Sequence, residues 1–404
     1  MTEHIRSKIL STLTHFLEDV ASDDVIGVAV SGGSDSVALL FALQELFPVS
    51  KLRAVTVDHG LRSAAVGEAL WVGKLCTSLG IFHSTIPVKN LAPGSNLQAR
   101  AREARYNALA DWGQGCDLLC LGHSQTDVAE TFLIRLARGS GVDGLAGMRA
   151  RWRICDIDCA RPLLSFSRDD LREYLRAKGQ TWCEDPSNED LTYKRIQMRQ
   201  AQQMLDGLGL DTARLAKTAA RMSSVQEALA FSLKTLRPTV MSLDFGDIVF
   251  DRTALGALPG EYVERMVSDA LGWIGGQVYK PRNLSLLRAI STEKVFSLHG
   301  CVLIPQIGNL LRISREYAVV SLEEATCPAL WDNRYFAPNH DKKYKIQALG
   351  SKGLSLCPDW RSSRRPLIAL KSSPSLWQDD KLISAPMAGF GEKDVLKVVP
   401  TPWE

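Results

Sequence analysis

The chain lacks any apolar run close to the roughly 18 residues that a membrane span requires, so no transmembrane helix is expected in its 404 residues. Its opening stretch, MTEHIRSKIL, lacks a cationic segment followed by an apolar one, and no secretory leader is expected. The nine cysteines are scattered: Cys116/Cys120 and Cys155/Cys159 are four apart, and no C-x-x-C pair occurs. That spacing argues against a zinc or iron–sulfur framework and points to reduced thiols in a cytoplasmic protein. An excess of one charge is missing too, since the net charge is only +3. Nucleic-acid binding would therefore have to come from local patches. There is no internal repeat and no low-complexity tract. What remains is 45% hydrophobic and 23% charged, the make-up of a globular protein of two or three domains.

The most informative short stretch is VAVSGGSDSVALL, residues 28–40. A short apolar strand leads into a Gly-Gly turn, and a helix with Val37, Leu40 and Phe41 on one side leads out. Glycines at a strand-to-helix turn let the backbone turn tightly and present its N–H groups to an anion. Two familiar phosphate loops are excluded. GxxxxGK[ST] needs a lysine that does not follow Gly33, and GxGxxG needs glycines that are not adjacent. This loop instead carries the hydroxyls of Ser34 and Ser36 and a carboxylate, Asp35. A carboxylate repels bare phosphate but suits phosphate that arrives with Mg²⁺.

Strand and helix signals alternate from residue 25 to 140. Strands are expected at 25–30, 52–59, 81–88 and 117–122, with helices between them, among them 96–112 with Asn96 as N-cap, and 124–138. This alternation predicts an α/β fold with a doubly wound parallel sheet. Ligands bind such sheets outside the carboxyl ends of the strands. The polar residues at those ends are 31–36, Asp58 with His59, and His123 to Asp127. A long helix is expected from 211, followed by a helical to mixed stretch as far as 325. Between Trp331 and Lys381 the composition turns basic, with ten Lys/Arg against five Asp/Glu. The division expected is 1–212, 213–325 and 326–404.

His123, Asp127 and Glu130 fall at i, i+4 and i+7, one face of a helix. The plain alternative is a capping box between Ser124 and Asp127, with Glu130 in solvent. After that helix, RGSG (138–141) adds Arg138 to a flexible glycine turn. In ARAREARY (99–106), Arg102 and Arg105 lie one turn apart, with Arg100 elsewhere on the circumference. Asp58-His59-Gly60 reads equally as a strand end and as a binding turn. YKRIQMR (193–199) is either an exposed amphipathic stretch or a cationic arm ending in Arg199.

Taken together these stretches resemble the PP-loop ATP pyrophosphatase superfamily, whose signature is SGGxDS. Within it they resemble the tRNA(Ile)-lysidine synthetase family. The resemblance rests on AVSGGSDSVALL, VDHGLR (57–62), AREARY (101–106), GHSQTDVAETF, RGSGVDGLAGM, RPLL (161–164) and DPSN (185–188). It covers the first two hundred residues densely. WDNRY (331–335), IQALGSKGL (346–354) and LISAPMAGF (382–390) extend it more weakly toward the C-terminus.

The resemblance implies a PP-loop catalytic domain at 1–212, a tRNA-contacting domain at 213–325 and a basic α+β tRNA-binding domain at 326–404. It implies a ligase that adenylates the wobble cytidine of the CAU anticodon of an isoleucine tRNA with ATP, releasing pyrophosphate. The ε-amine of free L-lysine then displaces AMP. By matching position, Ser31, Gly32, Gly33, Ser34, Asp35 and Ser36 would hold ATP phosphates, with Asp35 at Mg²⁺. Asp58, His59 and Arg138 would border the nucleotide. Arg102, Arg105, His123, Asp127, Glu130 and Arg199 would surround the reacting groups. Lysine needs help: at neutral pH about one molecule in 10³ to 10⁴ is the free amine, a handicap of roughly 4–5 kcal/mol. A carboxylate such as Asp127 or Glu130 can bind the ammonium and accept its proton. Arginines and Mg²⁺ suit the phosphate charge.

Two positions depart from the family pattern. Thr126 stands where the first of two adjacent acids is usual, and Ile196 where asparagine is common. Two rivals stay open: a PP-loop enzyme that thiolates tRNA, which would ordinarily need paired cysteines, and a non-catalytic tRNA-binding relative. The residues leave the oligomeric state open, a homodimer included, and give no sign of a membrane partner. The tail's cations form two clusters, Lys342, Lys343 and Lys345, then Arg361, Arg364 and Arg365 beside Trp360. They read as a phosphate-tracking surface.

Overall fold

The apolar run ahead of the Gly-Gly turn folds as β1 (Ile26–Ala29), with all four residues buried. In this computed structural model the described residues are 2–58, 64–88, 97–184, 194–277, 286, 290–340 and 342–403. They fall into two compact units, Met1–Gln226 and Glu227–Glu404.

In the first unit β1 is followed by α2 (Ser34–Leu46), β2 (Leu52–Asp58), α3 (Ala64–Ser78), β3 (Phe82–Pro87), α4 (Leu97–Gly113) and β4 (Leu118–Leu121). Then come α5 (Gln125–Leu136), α6 (Val142–Leu145), β5 (Arg151–Ile154), β6 (Ile157–Ala160) and α7 (Arg168–Ala177). The sheet order is β3-β2-β1-β4-β6-β5. Every neighbouring pair is parallel except β5 and β6. The central strands β1 and β4, buried along their whole length, need cover on both faces. On one face lie α1 (Thr2–Phe16), α2 and α7, whose Ile9, Leu13, Leu40, Leu43, Leu171 and Tyr174 form the main core. On the other, Leu109 and Ala110 of α4 pack on Leu119, Leu121 and Ile157.

This is the α/β doubly wound layout the alternation predicts, and each expected strand is found within two residues of its expected ends. The chain runs outward from β1 through β2 to β3, then returns to place β4 on the other side of β1. The loops after β1 and β4 therefore flank a topological switch point, where ligands of such sheets sit. α8 (Lys194–Gly207) and the start of α9 (Thr212–Val240) complete the unit, with Leu215 and Ala219 packed on Val128, Phe132 and Leu133 of α5.

In the second unit, β7 (Met241–Asp244) through β11 (Leu310–Arg315) form a five-stranded antiparallel sheet. Its core takes in Met266, Leu271 and Ile274 of the helix Gly260–Gly275. A four-stranded antiparallel sheet follows, its central strands being Tyr344–Ala348 and Pro374–Gln378. Buried ion pairs tie these two parts of the unit together. Arg312 bridges Asp244 at 2.6 Å and Asp247 at 2.9 Å, and Arg365 also grips Asp244. Arg315 reaches Asp332 at 2.9 Å. Trp403 packs edge-on to Trp273, their ring centroids 6.0 Å apart.

Candidate active site

The loop after β1 is laced by Ser36. Its hydroxyl donates to the Gly33 carbonyl at 3.0 Å and accepts from the Ser31 amide at 3.1 Å. Gly32 turns the chain at φ +91°, a conformation that favours glycine. α2 then starts at Gly33 without a side-chain cap, so its amide dipole opens onto the space above the loop. Ser34 donates to Asp35 Oδ1 at 2.9 Å.

The loop after β4 supplies the opposite wall. Asp127 accepts from the Ser124 amide at 2.9 Å, and the two residues form a capping box. The structural alternative for this pair is therefore correct, and it does not exclude the chemical one. The Ser124 hydroxyl lies 2.9 Å from Asp35 Oδ2 and 3.2 Å from Asp127 Oδ2, so one small side chain joins both loops. Glu130 is not in solvent: it is only 4% exposed. Its Oε1 meets Arg199 Nη2 at 2.9 Å.

Arg168 joins these groups. Its guanidinium lies 3.3 Å from Asp35, 3.2 Å from Asp127 and 3.6 Å from Glu130. Burial pulls its pKa down, but attraction to the three carboxylates outweighs this and raises it above the ordinary value. No feature of the sequence reading singled out Arg168. Its only local signal is a helix start, Ser167 capping α7 through Asp170.

His123 sits at the end of a polar chain. Arg161 Nε donates to His123 Nδ1 at 3.2 Å, and Arg161 Nη2 to the Tyr106 hydroxyl at 3.1 Å. Arg102 donates to that same hydroxyl at 3.2 Å. The Arg161 guanidinium also lies 3.7 Å from the Trp152 ring centroid. A neutral His123 held in this way carries its ring proton on Nε2.

These groups line a cleft of about 270 Å³. Of the sequence-predicted residues, Ser31, Gly33, Ser34, Asp35 and Ser36 face it from the first loop, and Arg105, His123, Asp127 and Arg199 from the other walls. Gly32, Asp58, Arg102 and Arg138 are not among its lining residues, and His59 lies outside the described residues. Glu130 sits behind the lining, joined to it through Arg168 and Arg199. Arg138 is exposed, and it is Arg135 that pins the following turn, donating to the Gly144 carbonyl at 2.7 Å. Burial, then repulsion from Arg102 and Arg138, lowers the Arg135 pKa. The cleft also takes in Glu68, Arg172, Trp182, Cys183 and Glu184. Of these, Cys183 donates its amide to the Gly32 carbonyl at 2.9 Å, and burial pushes its thiol pKa up.

Thr126 has a structural task. Its hydroxyl accepts from the Arg168 amide at 3.1 Å and so helps seat the start of α7.

Residues 1–204 match the PP-loop domain family. The chain is 42% identical over 373 residues to a tRNA(Ile)-lysidine synthase of Ruegeria pomeroyi, an alignment covering 90% of this chain and 89% of that protein. A Wolbachia pipientis protein of the same name is 31% identical over 401 residues, covering 91% and 90%. One from Anaplasma marginale is 33% identical over 330 residues, covering 76% and 70%. With a PP-loop domain over its first half and such relatives along most of its length, this chain belongs to the tRNA(Ile)-lysidine synthase family.

Proposed function

We propose that this chain joins the ε-amine of free L-lysine to C2 of the wobble cytidine in the CAU anticodon of tRNA(Ile). The cytidine is first adenylated by ATP, with release of pyrophosphate, and AMP leaves when lysine attacks. One observation carries the mechanistic part of this reading. At the switch point, the uncapped helix start with its Asp35 shares one cleft with Asp127, Arg168 and Arg199, and the buried Glu130 pairs with both arginines behind it.

The amides and hydroxyls of residues 31–36 bind the polyphosphate, and Arg105 and Arg172 supply positive charge from the walls. Mg²⁺ fits the donor chemistry, since Asp35 and Asp127 offer hard carboxylate oxygens on either side of Ser124. Among the described residues no three His, Cys, Asp or Glu side chains form a metal cage. One or two carboxylates completed by substrate phosphates is the usual way Mg²⁺ is held. When bound, it would neutralise charge on the departing pyrophosphate.

Lysine then has a matched site. Asp35, Asp127 and Glu130 against Arg168 and Arg199 leave one negative charge over, enough for one ammonium. Asp127, on the cleft wall, binds that ammonium and takes its proton, while Glu130 keeps Arg199 in place. His123 Nε2–H donates toward the adenylate. Arg102 and Arg138, beyond the cleft, suit tRNA phosphates, as do the segments 213–325 and 326–404. The reaction belongs in the cytoplasm, where tRNA and reduced thiols coexist.

The test is Asp35→Asn. This variant should still fold, since the amide keeps the shape of the carboxylate, yet release AMP from ATP and tRNA(Ile) at least a hundredfold more slowly, as expected when charge stabilisation worth about 3 kcal/mol is lost. Wild-type AMP release from it would refute the assignment of Asp35.

A further inference from the structure

The three carboxylates are held by one guanidinium through three separate contacts, none of them a short two-pronged pair. At 3.2, 3.3 and 3.6 Å the Arg168 contacts lie at or beyond the long end of normal hydrogen bonds. Strong Arg–carboxylate pairs are shorter and bidentate. Arg199 holds Glu130 more closely, its Nε at 3.0 Å and its Nη2 at 2.9 Å both meeting Oε1. Arg168 is thus the looser of the two cations. It has somewhere to go, because its side chain is 20% exposed and lines the cleft beside Ser34. Its main chain stays anchored by Thr126 and by the Ser167 cap of α7.

We infer that Arg168 is a displaceable internal cation. In the nucleotide-free chain it occupies the position beside Asp35 that the nucleotide's divalent ion requires, and it swings onto the polyphosphate when the two arrive together. Charge arithmetic supports the exchange. Taken by themselves, the side chains of Asp35, Asp127, Glu130, Arg168 and Arg199 sum to −1; without Arg168 the other four sum to −2, the charge that one divalent ion offsets. The carboxylates are never left uncompensated, which would be costly for groups this buried. An empty site would also bind a metal without nucleotide only by ejecting Arg168, so metal and nucleotide bind cooperatively. This inference rests on the proposed role of the cleft in holding a metal–ATP complex, though its test does not use catalysis.

The test is Mn²⁺ binding to the full-length, nucleotide-free protein, followed by electron paramagnetic resonance. Arg168→Met should bind Mn²⁺ at least fivefold more tightly than the wild type, and adding Asp35→Asn should remove the gain. Arg168→Gln, which also removes the charge but keeps a hydrogen-bonding side chain, should likewise gain at least fivefold, and it decides the matter should Arg168→Met fail to fold. A smaller gain in a folded variant overturns the inference. Failure of the function reading would show separately, as wild-type protein that transfers no lysine to tRNA.

Discussion

Gly122 follows β4 and lies directly against the loop of residues 31–36. A Cβ there would lie 2.6 Å from Ser36 Cα and 2.8 Å from the Asp35 carbonyl oxygen, both backbone atoms that cannot step aside. Gly122→Ala should therefore push the two loops apart, costing about 1–3 kcal/mol of stability and most of the ATP affinity. Calorimetric unfolding together with nucleotide titration checks this; a variant that binds ATP like the wild type would show that the close approach is dispensable. At this scale the sequence was legible where residues sit on one local element. Asp127 and Glu130 share a helix face, and the loop residues announce themselves through glycine and serine. Arg168 was not legible, because its partner Asp35 is 133 positions away and only the crossing of α7 over the sheet brings them together. Arg161 is hidden for the same reason, its contact with His123 spanning 38 positions. Thr126, a departure when read against the family pattern, makes sense only once the Arg168 amide is seen to need an acceptor.

Among the elements, α7 has most influence on the site, since it carries Arg168 and Arg172 into the cleft. What holds α7 is Glu45 near the end of α2. Glu45 accepts from Tyr174 and Lys178, each at 2.6 Å, and from Arg6 of α1 at 2.8 Å. Burial by itself would raise the Glu45 pKa, but the bonds from Lys178, Tyr174 and Arg6 outweigh it and bring the value from 4.5 down to about 2. A carboxylate with a lowered pKa contributes stability that is fully present above its unfolded value. That stability is lost as pH falls from about 4.5 toward about 2. Glu45→Gln should remove that loss and lower stability at neutral pH, by on the order of 2–3 kcal/mol. Denaturant melts at pH 7, 4 and 2.5 measure both effects; parallel pH curves for the two proteins would rule the clamp out. Of the strands in this unit, β1 and β4 were readable as continuous apolar runs, and β2 and β3 from the regular alternation of strand and helix signals. β5 and β6 were not readable. They are four residues each, joined by a turn in which Cys155 takes φ +51°, and β5 at the sheet edge alternates exposed and half-buried residues instead of forming an apolar run. The antiparallel strands of the second unit, several only three to five residues long, give equally little periodicity to read.

Over the whole molecule, formal charge says little until pairing is known. The tail reads as two cationic clusters, yet Arg365 is committed to Asp244 and to the Met387 carbonyl, and Lys345 bridges Glu324 at 2.9 Å. Arg361 covers one face of Trp360, 4.5 Å from its ring centroid, so a base stacking on that face would have to displace it. The tail also completes the core of its own unit, Trp403 packing on Trp273 and Arg237. The proposed phosphate-tracking surface of the tail thus has fewer uncommitted side chains than the count suggests, and deleting the tail would expose a core. In the proposed mechanism ATP and lysine chemistry meet in one cleft of the first unit. The most direct measurement is incorporation of radiolabelled lysine into purified tRNA(Ile) bearing a CAU anticodon, with and without ATP. The account predicts one lysine per tRNA, strictly dependent on ATP, with AMP and pyrophosphate formed in equal amounts. Label that stays free while ATP is consumed, or that enters the tRNA without ATP, would contradict it.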